Sequence, residues 1–154
     1  MVSRKLRIYI DTSVIGGCFD QEFKEWSIDL FKEFKSGNKI AVISDITLAE
    51  LEQAREEIRR LIDEIPMKSK EFILSDDEVE SLADKYIKEK AVSSKYYEDA
   101  LHIAIATIHK VDVLVSWNFK HIVNLERIRK YNAVNLMNGY TMLEIRNPRE
   151  ILNK

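Results

Sequence analysis

RIYIDTSVIGG, residues 7–17, runs from a short apolar stretch into an acid, two hydroxyl residues and a pair of glycines. Ile8 and Ile10 read as part of a buried strand. A strand interior disfavours Asp, so Asp11 marks the place where pairing stops. Taken alone, the acid reads as a cap for whatever follows, as do Thr12 and Ser13, or as a ligand. The choice depends on whether other acids converge on it.

Outward from this stretch, further apolar runs alternate with helical patterns. Leu6 to Ile10, Lys39 to Ser44, Phe72 to Leu74, Val113 to Ser116 and Ala133 to Asn135 are expected as strands. Large apolar residues from Phe23 to Phe34 recur at helical spacing and stop at Ser36–Gly37–Asn38. Thr47 to Ile65, Asp76 to Lys90 and Tyr96 to His109 are the other expected helices, and Pro148 opens a short last one. Strands alternating with helices imply crossover connections, hence an α/β fold with a mainly parallel sheet covered on both faces. Sites in such sheets lie beyond the carboxyl ends of the strands. Asp11, the segment Asp45 to Glu50 and the segment Trp117 to His121 should therefore share one edge.

Composition agrees with one domain over residues 1–154. The chain is 45% apolar and 32% charged, with a net charge of −2. That charge does not favour a nucleic-acid binder, although acids gathered in one site would lower it without covering the surface. The single Cys18 provides neither an internal disulfide nor a zinc cluster, which fits a reducing cytoplasm. No apolar stretch approaches the ~20 residues of a membrane helix, and the N-terminus has no signal-peptide pattern.

Three more residues compete between a local role and a site. Glu50 closes the pattern Thr47-Leu48-Ala49-Glu50, a capping box, yet an acid in a first helical turn beside a strand end also points to the sheet edge. Asp99 opens a helix so apolar that a carboxylate there needs a cation or donors. His102 lies on the same face by spacing and reads as a hydrogen-bonded structural residue, as does His109. Asn118 follows the fourth strand as a turn residue or as an amide completing an acidic site, with Ser116 placed to orient it. Trp117 should face the core. The pattern of a covalent aspartyl phosphatase is not met, because the position two beyond Asp11 is Ser13.

With Asp11, Glu50, Asp99 and Asn118 in this order, the chain resembles the PIN-domain family, especially VapC-type toxin nucleases. The resemblance is carried by IDTSVIGG, ISDITLAELEQA, YYEDALHIAIATIHKVDVLVSWNFKHI and VNLMNGYTMLEIRNPREIL. It implies a three-layer α/β/α sandwich and Mg2+- or Mn2+-dependent hydrolysis of RNA. It also implies frequent dimers and, in VapC-type members, a partner antitoxin that holds the enzyme inactive. By position, Asp11, Glu50 and Asp99 match the metal-binding acids, and Thr12 and Ser13 match the hydroxyls that follow the first. Asn118 stands where many members carry Asp, which removes a charge and favours the alternative of a catalytically weak interaction module. Lys95, Lys120 and Arg55 are the cations nearest these segments and are expected to contact RNA phosphate. The apolar segment Trp26 to Phe34 is expected to supply a homodimer patch.

Overall fold

The computed structural model describes residues 4–152. Five strands form one parallel sheet in the order β3-β2-β1-β4-β5. They are β1 (Arg7–Ile10), β2 (Ile40–Ser44), β3 (Lys70–Ile73), β4 (Val113–Val115) and β5 (Ile145–Arg146). Because strand side chains alternate, β1 feeds two cores. Ile8 and Ile10 pack with α1 (Thr12–Gly16), α2 (Lys24–Lys35) and α4 (Glu56–Asp63). Tyr9 packs on the opposite face with α5 (Asp77–Lys88), α6 (Tyr97–Ile108) and α7 (Leu125–Met137). The result is the expected α/β/α layering. The chain leaves β1 towards β2 but returns to its other side as β4, so the strand order reverses between β1 and β4. Ligand sites of open parallel sheets form at that crevice.

Three elements differ from the sequence expectation. Ala133 to Asn135 lies inside α7, and the fifth strand is Ile145–Arg146, paired with Leu114 and Val115. The inward face of α7 carries Tyr131, Asn132 and Asn135, so two of its buried positions are polar and the helical period is masked. Asn132 accepts from Leu143 N at 2.7 Å and donates to Leu143 O at 3.1 Å, which ties α7 to the approach to β5. The expected helix from Thr47 to Ile65 is two, α3 (Asp45–Leu51) and α4, broken where turn bonds run from Gln53 N to Glu50 O and from Ala54 N to Leu51 O. Finally, Ser44 caps α3 by accepting from Thr47 N, so Thr47 is not the cap and Glu50 closes no capping box.

The segment expected to form a dimer patch is largely core. Leu30, Phe31 and Phe34 are at most 2% exposed, and Ile28 is the large aliphatic that α2 leaves in solvent. The last helix, α8 (Pro148–Ile151), packs against α2 and is capped by Asn147 and Glu150. No helix among the described residues is long and apolar enough to cross a membrane.

Candidate metal centre

At the end of β1, Asp11 caps α1 and also ties that helix to the end of β4. Its Oδ1 accepts from Val14 N at 3.2 Å and from Ser13 Oγ at 2.6 Å, starting α1. Its Oδ2 accepts from Ser116 Oγ at 2.5 Å, at the end of β4. Ser13 Oγ in turn accepts from Trp117 N, and Ser116 Oγ from Asn118 N. The mouths of β1 and β4 are thus sewn together around one carboxylate. Burial pushes the Asp11 carboxyl up, and the positive field of His102 and the three donors only partly offset it.

Glu50 projects from α3 towards the same edge. Its Oε2 accepts from Thr12 Oγ1 at 3.1 Å, and its Oε1 is bound by His102 Nε2. Burial acts to raise the Glu50 carboxyl, but the His102 hydrogen bond and charge, with help from Thr12, leave it lowered. His102 is buried and raised well above its ordinary value. Burial opposes that, and Tyr9, Glu50 and Asp11 outweigh burial. Its Nδ1 lies 2.5 Å from the Tyr9 hydroxyl, which lies 2.7 Å from Ser44 Oγ. With an imidazolium at 102 the donors run in one sense, through Tyr9, Ser44 and Thr47 to the carbonyl of Ile10.

Asp99 differs. It stands half-buried in the first turn of α6, where the one side-chain donor it meets among the described residues is Asn118 Nδ2 at 3.4 Å. Burial, then the charges of Asp11, Glu50 and Glu98, push its carboxyl up to about 6 against the relief given by His102. Asn118 offers it a donor and no oxygen, because Asn118 Oδ1 accepts from His121 N at 2.9 Å and Lys120 N at 3.2 Å.

Among the described residues no group of three His, Cys, Asp or Glu side chains is drawn up at metal-holding spacing. The donor set nevertheless fits a hard cation. Magnesium takes oxygen ligands, keeps several waters and binds through one or two protein carboxylates. Asp99 is a carboxylate short of positive charge, and Asp11 and Glu50 act on it electrostatically.

The candidate cations separate. Lys120 follows Asn118, and Lys95 Nζ sits 5.7 Å over the Tyr96 ring, which stacks on His121 at 3.6 Å. Burial lowers His121, and the charges of Lys120, Arg127 and Lys95 lower it further, so these three surround His121, with Arg127 Nη1 donating to the carbonyl of Ala91 at 2.9 Å. Arg55 leaves at the break between α3 and α4 and lies 5.6 Å over the Phe19 ring. Trp117 faces the core as expected, stacked on Phe23 at 4.2 Å with its Nε1 donating to Ser27. Gly17 is what lets this happen, since a Cβ there would stand 2.5 Å from Ser27 Oγ and 2.8 Å from Trp117 Nε1. Sequence reading missed Tyr9 and Ser44 and gave His102 no tie to Glu50. The available signals were Tyr9 two residues before Asp11 and His102 three after Asp99.

A parallel α/β domain that gathers carboxylates at the β1/β4 switch point places them where ligand sites of open parallel sheets form. The chain belongs to the PIN domain family, whose model matches residues 8–121. Among solved structures it is similar to VapBC2 from Rickettsia felis bound to a DNA fragment from their promoter. That match has 17% identity and TM-score 0.59, covering 92% of this chain and 98% of the other. FitAcB from Neisseria gonorrhoeae gives 14% identity and TM-score 0.58, with 94% and 99% covered. The Mycobacterium tuberculosis VapC20, a sarcin-ricin loop cleaving toxin, gives 13% and 0.55, with 74% and 92% covered. At these identities the likeness is one of fold. No curated protein matches the chain.

Proposed function

We propose that this PIN domain is a divalent-metal-dependent endoribonuclease and the toxin of a toxin–antitoxin pair. The observation that carries the reading is Asp99, a half-buried carboxylate facing two other acids with a single amide for company. Asp11 and Asp99 would hold Mg2+ or Mn2+, with Glu50 on the third side. A bound ion supplies a nucleophilic water at neutral pH and neutralises charge on the phosphodiester. Ser13 and Ser116 keep Asp11 in place, and Asn118 caps the turn that presents Lys120. Lys95, Lys120 and Arg127 draw the strand in by its phosphates, positioning it without reading bases. Arg55 lies apart from that group and is given a weaker part.

The toxin half of the reading leans on the family and on neighbours such as VapBC2 and FitAcB, which argue for an antitoxin partner. A homodimer, which the resemblance implies, would have to use a surface other than the buried face of α2. A second reading, a catalytically weak interaction module, is favoured by Asn118, whose oxygen is committed to the backbone. One experiment decides between them. Purified protein with Mn2+ should cleave a mixed pool of single-stranded RNA, and Asp11→Asn and Asp99→Asn should not. Wild-type protein that leaves the pool intact would favour the module.

A further inference from the structure

The two donors that hold Glu50 are neighbours in sequence of the other two acids. Thr12 directly follows Asp11, and His102 stands three residues beyond Asp99 on α6. Glu50 is therefore tied on one side to the segment carrying Asp11 and on the other to the helix carrying Asp99. The His102 ring is fixed in its turn. Strand alternation puts Tyr9 and Asp11 on the same face of β1, towards α6, and the Tyr9 hydroxyl meets Nδ1 while Ser44 holds that hydroxyl. Tyr9 is fully buried and His102 is 2% exposed.

We infer that Thr12, His102 and Tyr9 form a brace that holds Glu50 oriented at the sheet edge shared with Asp11 and Asp99, so that one acid of the site is fixed before a cation draws the three together. This inference rests on the metal-centre reading above. The surroundings support a role in geometry over a role in packing. Val42, Ile103 and Leu114 belong to the same core, where Phe at position 9 and Leu at 102 would fill the space without polar groups to satisfy. A fully satisfied buried chain gains little over such packing, but it specifies one arrangement. Donors behind a metal ligand orient it in the same way, and losing one typically costs about 10–100-fold in metal affinity or activity. Tyr9, His102 and Thr12 are thus positioning residues, acting through Glu50.

Manganese titration of the purified protein, read by calorimetry, tests the brace without RNA. His102→Leu should weaken manganese binding by about 10–100-fold. Tyr9→Phe and Thr12→Val, which keep the shape of the side chain, should weaken it by a smaller factor. His102→Gln, whose amide can donate to Glu50 from nearly the ring Nε2 position, should recover most of the affinity, and a purely structural role would not produce that recovery. If His102→Leu fails to fold, Tyr9→Phe and Thr12→Val still decide. Wild-type affinity in both, whatever their melting temperatures, would overturn the brace while leaving the metal centre standing. A wild-type chain that takes up no manganese would overturn the metal centre itself, and the brace with it.

Discussion

Asp11 is 5% exposed and takes hydrogen bonds from Ser13, Val14 and Ser116, whereas Asp99 is half-buried and meets one amide at 3.4 Å. Both close the same sheet edge. The first is built into the fold, since it starts α1 and joins β1 to β4. The second contributes little to the fold and concentrates negative charge that the protein, through His102, neutralises only in part. The difference separates a carboxylate that the fold itself uses from one that the fold does not. It also predicts opposite signs when each is removed.

The largest effect is expected from that pair. Without metal at pH 7.5, Asp11→Ala should lose about 1–3 kcal/mol of stability, because a cap goes and the Ser116 and Ser13 hydroxyls lose their acceptor. In melting temperature that is roughly 3–10 °C. Asp99→Ala should hold or gain stability, since Ala suits a helix and the repulsion from Asp11 and Glu50 disappears. Neither variant should give the manganese heat of the wild type. Thermal unfolding that shifts both variants in the same direction would break the comparison.

A pH series sharpens it. The Asp99 carboxyl is pushed up to about 6 from an ordinary 3.8, so the folded chain keeps a proton that the unfolded chain releases. The folded state binds more protons between those values, and stability contributed by this group falls as pH rises from about 4 to about 6, then stays level. In urea unfolding without metal, the advantage of Asp99→Ala over wild type should grow across that window and stop growing above it. Manganese competes with the same proton, so its affinity should climb over the same range. A difference between the two proteins that does not change with pH would mean that Asp99 is an ordinary exposed acid.

Much of this contrast was legible in the sequence, and the parts that were not share a cause. β1, β2 and β4 are near-continuous apolar runs, as buried parallel strands must be, and an acid or amide just past each run marks the edge. β5 escaped because it is two residues long, while Ala133 to Asn135 imitated a strand on a helix whose inward face carries Asn132 and Asn135. The break between α3 and α4 has neither Gly nor Pro to announce it, and it sends Arg55 to Phe19 instead of the acid edge. The bond from His102 to Glu50 spans 52 positions and that from Tyr9 to His102 spans 93. Spacing along one element cannot show a pairing that only the crossing of strand and helix creates.

Asn118→Asp probes the Asp99 flank with a smaller change. An aspartate can keep both backbone bonds that Asn118 Oδ1 accepts, from Lys120 and His121, but it replaces the amide facing Asp99 with a like charge. Metal-free stability at pH 7.5 should drop by about 1 kcal/mol, or roughly 2–4 °C. Manganese should bind more tightly and return more stability than it does to the wild type. A variant that loses stability and gains no affinity would show that the fourth position lies outside the cation's reach.

The smallest effect tests the Asp11 side from within α1. Gly16 closes that helix with φ near −63°, and a Cβ built on it meets nothing within 4 Å. Alanine there restricts the unfolded chain and leaves the folded one undisturbed, a gain of about 0.4–1 kcal/mol. Gly17 also has a helical φ, but its Cβ would strike Ser27 and Trp117, so Gly17→Ala should destabilise by more than Gly16→Ala gains. If Asp11 owes its placement to the fold, stiffening α1 should raise the melting temperature by roughly 1–4 °C and leave manganese affinity unchanged, because the only partly compensated charge sits across the site at Asp99. A Gly16→Ala protein that binds manganese more weakly at higher stability would show that Asp11 must move to take a cation, and the division between a fixed acid and a spare one would fail.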